Sequence, residues 1–303
     1  MRKIFIIVSI LLFITLGLLW RVHLTVNKVY QVHQVDKVDQ FTSGTIKITF
    51  LDVGQGDASF IEFPGGGQML VDCAVDARIL EALGRVMPYY DRDLDYLVIS
   101  HPDLDHYGGC IDVLTQYNVK NIVYNGMQKP SDKAWQWFWD LVQKEGAIYH
   151  ELRQEEIWDI ASTTVHFYYP SQSVKELIKT DLYKNYNGNN LSIIMGLESV
   201  GHQVLFTGDA ETDLEKYLVS TYNNKLKSDI LKVGHHGSSN SSNKDFLAVV
   251  QPAYTVISVG KENKFGHPTL RVLKRLERTN AQIFRTDLQG DIICEVGERI
   301  VCE

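Results

Sequence analysis

The ten residues SHPDLDHYGG (100–109) constrain this chain more than any other stretch. The apolar run DYLVIS leads into them, and within six positions they carry His101, Asp103, Asp105 and His106. Imidazoles and carboxylates are costly to bury unless they are paired or bind a cation. A strand that delivers four of them into one loop therefore fits a fold whose strand ends converge on metal. Four donors this close cannot readily share one ion, and alternate side chains point to different sides, so two neighbouring divalent metals are expected. Gly108 and Gly109 are read as a tight turn that opens a helix.

Two later stretches repeat the pattern. QVLFTGDAE is a strand ending at Gly208 and Asp209, and DILKVGHHGSS is a strand ending at Gly234, His235, His236 and Gly237. Each places ligand-type side chains at a strand end, where α/β proteins build their sites.

Around these motifs the chain reads as one α/β domain over residues 45–303. IKITFLDV, ASFIEF and QMLVDC look like strands of a meander, and residues 76–87 read as helix. Further strands are expected at 163–169, 191–197 and 202–206 and in DILKVG, YTVIS and AQIFR, with helices near 210–220, 243–250 and 268–278. SDKAWQWFWDLVQKE (131–145) is read as a helix capped by Ser131. Its aromatic face is read as packing on a sheet, with base stacking as the alternative. No Pro-rich or low-complexity stretch divides the region, and the alternation suggests two similar halves.

At the N-terminus, Arg2 and Lys3 precede 17 uncharged residues, 4–20. A helix over them would be about 25 Å long, enough to cross a bilayer with some thinning, and the preceding basic residues favour an N-inside orientation. The expected arrangement is a single-pass anchor over 1–20, a linker over 21–44 and a domain outside the cytoplasm. A cleaved signal peptide, and hence secretion, is the alternative, although no small-x-small site follows Trp20. The net charge of −7 argues against a broad basic surface for nucleic acid. Cys73, Cys110, Cys294 and Cys302 form no close-spaced metal pair; Cys294 and Cys302 would pair across a terminal hairpin in an exported domain, and four free thiols fit equally well.

SHPDLDHYGG resembles the HxHxDH metal motif of the metallo-β-lactamase superfamily, with Asp103 where the second His usually stands. LDVGQGDASFIEFPGGGQMLVDC, NNLSIIMGLESVGHQVLFTGDAE, LKVGHHGSSNSS and ISVGKENKFGHP resemble, in order, blocks of the C-terminal hydrolase domain of the competence protein ComEC and its free-standing relatives, and the likeness covers roughly residues 46–290. The resemblance implies a metallo-β-lactamase-type αβ/βα four-layer sandwich with two divalent ions, Zn²⁺ or Mn²⁺, in a shallow cleft. Site one would take His101 and Asp103; site two would take Asp105, His106 and His235, with His236 the runner-up; Asp209 would bridge them. Asn190 stands where ComEC relatives carry Asn, in the block that elsewhere often supplies another site-one histidine. His166 and His202 sit in strands and are read as core or surface residues.

Supporting roles follow from what such a centre needs. Asp72 resembles the first-motif aspartate and is expected to orient a ligand histidine. Asp57 is a second candidate for buried support, with turn chemistry as the alternative. Lys232 is a candidate phosphate contact, with a solvent-facing strand lysine as the alternative. His267, in FGHP, and the unused member of the His235–His236 pair are candidates for leaving-group protonation or phosphate contact.

Two dications against three carboxylates leave the bare centre at about +1, able to hold ionised water and still attract an anion. The expected function is a metal-dependent hydrolase, a phosphodiesterase or nuclease acting on extracellular DNA or another phosphodiester, with Asp105, Asp209 and His267 in its chemistry. The alternatives are hydrolysis of a lactone, β-lactam or phosphorylcholine ester at the same centre, or a catalytically silent binding protein. The expected partners are the membrane, through the N-terminal helix, and DNA; no protein partner is implied. Only one apolar segment is present, so DNA transport is not carried over from the resemblance.

Overall fold

The computed structural model describes residues 44–179 and 188–303; the expected anchor and nearly all of the expected linker lie outside them. No helix among the described residues is long and apolar enough to cross a membrane. Gly44–Glu303 is a compact unit with its own core.

Two sheets make up that unit. The first contains β1 (Ile46–Phe50), β2 (Ser59–Glu62), β3 (Gln68–Val71), β4 (Asp93–Val98), β5 (Asn118–Tyr124) and β6 (Ile148–Glu151), flanked at the β1 edge by β14 (Ile292–Val296) and β15 (Ile300–Cys302). The second contains β7 (Glu156–Ile160), β8 (Thr163–Tyr169), β9 (Ile194–Ser199), β10 (His202–Phe206), β11 (Ile230–Lys232), β12 (Tyr254–Ile257) and β13 (Gln282–Arg285). Each sheet begins antiparallel and turns parallel, at β3–β4 in the first and at β10–β11 in the second. This gives the two similar halves that the sequence suggests.

The parallel runs need helical crossovers. In the first half these include α1 (Arg78–Val86), the short α2 (Leu104–Tyr107), α3 (Cys110–Gln116) and α4 (Lys133–Lys144); in the second, α5 (Thr212–Tyr222), α6 (Lys244–Val250) and α7 (Leu270–Glu277). Alternate side chains of one strand face opposite sides. Val204, Phe206, Ile230 and Val256 therefore join Ile48, Phe50, Val98 and Val123 in the core between the sheets. Leu205, Leu231 and Ile257 face the other way, into a second core that also holds Leu214, Leu247, Val272 and Leu276 of the helices. Phe50 and Phe206 stack across the sheets at 5.8 Å.

Several local expectations change. Gly108 and Gly109 have ordinary helical angles; they are needed because a Cβ would lie 2.2 Å from the carbonyl oxygens of Val75 and Cys73. The cap of α4 is Asp132, which accepts from Ala134 and Trp135, not Ser131. Trp135 and Phe138 of that helix are buried, with Trp135 4.8 Å from Tyr107 and 5.5 Å from Tyr124, so the aromatic face packs against the fold. All four cysteines are oxidised, Cys294 with Cys302 across the terminal hairpin and Cys73 with Cys110.

Glu215 on α5 is buried and accepts from the Ser242 and Asn243 N–H groups and the Asn243 side chain, while Asn243 caps α6. Burial raises its carboxyl to about 7, overcoming these donors and the nearby Arg275. The unfolded chain loses this proton near 4.5, so between about pH 4.5 and 7 the folded state holds a proton that the unfolded state has released, and stability falls as pH rises through that window. Urea unfolding of the parent should lose about 2–3 kcal/mol more than that of Glu215→Gln between pH 5 and pH 8; equal slopes would contradict this account.

Candidate metal centre

The sequence motifs lie on loops at the carboxyl ends of β3 and β4 in one sheet and β10 and β11 in the other. Three of the residues involved hold a left-handed backbone: Asp72 (φ 60°), His235 (φ 48°) and His236 (φ 51°). Non-glycine residues adopt that region at a cost and persist there when the surroundings over-determine them. At the His235–His236 turn, the His235 N–H donates to the Gly208 carbonyl, and the Ser241 hydroxyl donates to the Gly234 carbonyl at 2.7 Å.

His101, His106, Asp209 and His236 meet in the interior. His106 Nε2 lies 3.2 Å from Asp209 Oδ1, His101 Nε2 4.0 Å from Asp209 Oδ2, and His236 Nε2 3.7 Å from the same oxygen and 3.4 Å from Asp105 Oδ2. Asp103 Oδ2 is 3.6 Å from His101 Nε2. His235 reaches within 3.8 Å of Asp209 through Nε2, but it is part-exposed and its Nδ1 lies 3.1 Å from Glu211. His236 is buried, and it rather than His235 joins the close groupings of donor atoms, with Asp105 and His106 and with Asp57 and Asp209. Among the described residues, His101 Nε2, His106 Nε2, His236 Nε2 and Asp209 Oδ1 are buried without a hydrogen-bond partner. Buried polar atoms are rarely left so. His101, His106 and Asp209 form one close grouping of donor atoms, and His236 joins His106 and Asp105 in another; such sets of imidazoles and carboxylates suit divalent cations.

The other ring nitrogens are held from behind. His106 Nδ1 lies 2.8 Å from Asp72 Oδ2, and Asp72 is itself fixed by the Ser100 N–H and hydroxyl at 2.7 Å each. His101 Nδ1 lies 3.0 Å from the Ser100 hydroxyl and 3.3 Å from that of Ser192. His236 Nδ1 sits 3.0 Å from the Ser258 carbonyl and 3.1 Å from Asp57 Oδ1. A carboxylate or carbonyl at Nδ1 keeps that proton there and turns Nε2 into an acceptor for a cation.

Lys232 takes neither place expected of it. It is buried, and its ammonium pairs with Asp57 Oδ2 and donates to the Val233 carbonyl at 3.0 Å. A residue on a strand covered on both faces cannot snorkel to solvent, and this ammonium is already engaged, so the phosphate-contact role is withdrawn. Asn190 is buried and accepts from the Glu211 N–H at 3.0 Å, supporting the loop after Asp209. His166 lies against Glu155 and Tyr168, and His202 against Asp229, each on partners outside the centre.

Charge in the centre is strongly biased. Burial alone would lower the His236 imidazole, yet the Asp209 and Asp57 carboxylates raise it to about 10. The same contest, with Asp209 and Asp72 prevailing over burial, holds His106 well above the usual range. Asp209 is held well below its ordinary value: burial opposes ionisation, and the His106 and His236 rings overcome it. Asp103 and Asp105 are depressed in the same way, burial being outweighed by His101 and Lys129 for the first and by His236 and His106 for the second. The field therefore favours positive charge at its middle. His267 stands at the rim, its ring 5.7 Å from that of His235. Burial, and then the His235 and His236 rings, lower its pKa and favour the neutral imidazole.

Residues that the motifs did not announce complete the surroundings. Gln55 donates to Asp105 at 3.3 Å, Lys129 pairs with Asp103, and the Ser192 hydroxyl accepts from the Asp209 N–H at 3.0 Å. A cleft of about 580 Å³ opens beside Gln55, with Arg78, Lys261, Asn263 and Phe265 on its walls.

Residues 51–261 match the family model of the metallo-beta-lactamase superfamily. The chain is 28% identical over 273 residues to ComE operon protein 3 of Bacillus subtilis (strain 168), covering 84% of this chain and 33% of that protein. To competence protein ComA of Neisseria gonorrhoeae it is 30% identical over 259 residues, covering 82% and 32%. The chain thus spans about a third of the length of these curated relatives. Among solved structures, Zn(2+)-bound PqqB from Methylobacterium extorquens aligns with a TM-score of 0.52 at 9% identity, covering 78% of this chain and 97% of that one. CmlA, a diiron beta-hydroxylase from Streptomyces venezuelae, aligns with a TM-score of 0.52 at 12% identity, covering 83% and 54%. At such identities the likeness is one of fold. With more than half of its length inside the family model, and with that family's two-sheet fold, the chain belongs to the metallo-β-lactamase superfamily, whose fold is that of metal-dependent hydrolases.

Proposed function

We propose that the protein is a divalent-metal-dependent phosphodiesterase that cleaves nucleic acid outside the cytoplasmic membrane. The observation that carries this reading is the convergence of the unpartnered His101, His106 and His236 Nε2 atoms on Asp209. His101 and Asp103 would hold one cation, Asp105, His106 and His236 the other, and Asp209 both. His236 takes the place first expected of His235. Bound there, Zn²⁺ or Mn²⁺ would supply Lewis acidity toward the scissile group and ionise water near neutral pH. The carboxylate-rich donor set, with Asp103 in place of an imidazole, inclines the preference toward the harder Mn²⁺.

The chain's own groups do the rest. Asp72 and Asp57 hold the His106 and His236 rings so that Nε2 faces inward. Asp105, tethered by Gln55, and Asp209, tethered by Ser192, stay ionised. His267, at the rim, hydrogen-bonds the departing oxygen. The likeness to competence proteins supports nucleic acid as the substrate. The two disulfides support an oxidising compartment, consistent with an anchor over residues 1–20 and an N-inside orientation.

The test is turnover and metal content together. The purified protein should bind Mn²⁺ or Zn²⁺ and cleave plasmid DNA and bis-p-nitrophenyl phosphate, and Asp209→Ala should lose at least 100-fold in rate, the order seen when a group that stabilises developing charge is removed. Turnover only of a lactone or a cephalosporin would move the reading to another bond, and undiminished rates in Asp209→Ala would remove the centre itself. Asp72→Ala should weaken metal binding by roughly 10–100-fold in chelator competition, whereas unchanged affinity would mean that Asp72 has no part in orienting His106. His267→Ala should slow a diester with a poor alkoxide leaving group by roughly 100-fold and slow the p-nitrophenyl diester far less; equal losses on both would assign the ring to binding rather than to the leaving group.

A further inference from the structure

A chain with a net charge of −7 carries a groove whose charged residues are almost all cations. Two adjoining depressions, of about 490 and 380 Å³, lie between α6 and α7 and share Lys244, Arg275 and Arg278. Lys216, Arg271 and Lys274 add three more cations, Asp245 is the one carboxylate, and the rest of the lining is neutral, Thr212, Asn243, Leu247 and Gln251 among it.

The helix dipole favours Lys274, Arg275 and Arg278 at the end of α7, but their mutual repulsion and the cations at the helix starts are unrelieved unless an anion comes to them. Arg271, Lys274, Arg275 and Arg278 fall at three- and four-residue intervals along one face of α7, with Val272 and Leu276 buried opposite. Like charges at those spacings repel. A helix dipole welcomes cations in the last turn and disfavours them in the first, yet Arg271 stands in the first turn of α7 and Lys244 opens α6. Among the described residues, Lys244, Arg271, Lys274 and Arg278 have no ion-pair partner, and Lys216 pairs only with Asp213, at 3.2 Å.

The groove is also joined to the centre. Thr212 on its wall begins α5 three residues after Asp209, and its N–H donates to the Asn240 carbonyl at 2.8 Å. The Arg275 guanidinium donates to the Ser241 and Ser242 carbonyls, in the segment that follows His236. Thr269, which precedes α7, donates from its N–H to the Gly237 carbonyl at 3.0 Å.

We propose that the groove between α6 and α7 is a docking track for the sugar-phosphate backbone of a polynucleotide, which it guides toward the centre at Asp209 and His236. The proposal rests on the diesterase reading for its direction, though not for the binding itself. A linear polyanion meets several of these cations at once and releases its counterions as it does so. An anionic membrane would instead call for an amphipathic face with apolar side chains to insert, whereas these cations line a concave channel.

Binding is read without turnover, by anisotropy of a fluorescein-labelled 30-nucleotide strand and its duplex on the whole 303-residue chain in EDTA, across a series of salt concentrations. The parent should bind with an affinity that falls steeply as salt rises. Lys274→Gln/Arg278→Gln should weaken binding roughly ten-fold at 0.1 M salt and lower the slope of log K against log salt by about 1.5. Lys244→Gln, on the opposite wall, should move both in the same direction and carries the test if thermal unfolding shows that the double variant has not folded. Equal affinity in parent and variants, or no binding by the parent at low salt, overturns the proposal. So does affinity for phosphatidylglycerol vesicles that falls in the variants while oligonucleotide binding does not. Strand binding by a protein that hydrolyses no diester when metal is restored would end the diesterase reading and leave the groove standing; diester hydrolysis by a protein that binds no strand would do the reverse.

Discussion

The Asp57–Lys232 ion pair lies buried where the two halves of the fold meet, one partner in the loop before β2 and the other at the end of β11. Two opposite charges out of water hold only while both are present and the remaining polar atoms are satisfied, because removing one strands the other. Here the spare oxygen of Asp57 lies 3.1 Å from His236 Nδ1 and the spare proton of Lys232 goes to the Val233 carbonyl. Burial would raise the Asp57 carboxyl, but Lys232 first and His236 second keep it below its ordinary value. The position of His236 thus depends on a charge pair spanning both sheets. A cavity of about 10 Å³ beneath, lined by Asp57, Asp72, Ser100 and Lys232 among others, has room for about one water, so the support is nearly close-packed.

Negative charge is concentrated above this joint and positive charge lies to one side of it. Asp103, Asp105 and Asp209 surround the inward nitrogens of three histidines, while the α6–α7 groove collects cations drawn from three helices. A net charge of −7 therefore describes neither surface. The sequence argument from that charge spoke only against a broad basic face. The local one was invisible because Lys216, Lys244 and the 271–278 stripe lie apart along the chain and meet only when α5, α6 and α7 pack.

Legibility followed the same division between local and folded information. Strands 163–169 and 202–206 stood out because apolar periodicity and turn residues agree there, and both match β8 and β10. β5, with the mixed run NVKNIVY, gave no such signal, yet it sits inside the first sheet. The clustering of His101, Asp105, His106 and Asp209 was readable from His, Asp and Gly at strand ends. The choice between His235 and His236 was not, because a turn of two left-handed residues decides which ring goes inward. Lys232 misled for a related reason: on a strand with both faces covered, alternation does not say which side chain is wet. Gly108 and Gly109 were noticed for freedom of the backbone, whereas the fold needs them for closeness to Val75 and Cys73.

The Cys73–Cys110 bridge was beyond sequence reasoning, since 37 positions separate partners that sit side by side. It joins the end of the Asp72 strand to the first turn of α3, on either side of the loop that carries His101, Asp103, Asp105 and His106. The Cys73 N–H also donates to the His106 carbonyl at 2.7 Å, and the Gly109 N–H to that of Ala74 at 3.1 Å. These two hydrogen bonds and the covalent clasp act on the same junction. Oxidation then does more than toughen the fold: it ties the strand end that carries Asp72 to the helix that follows His106, so two elements that position the histidine cluster are covalently one.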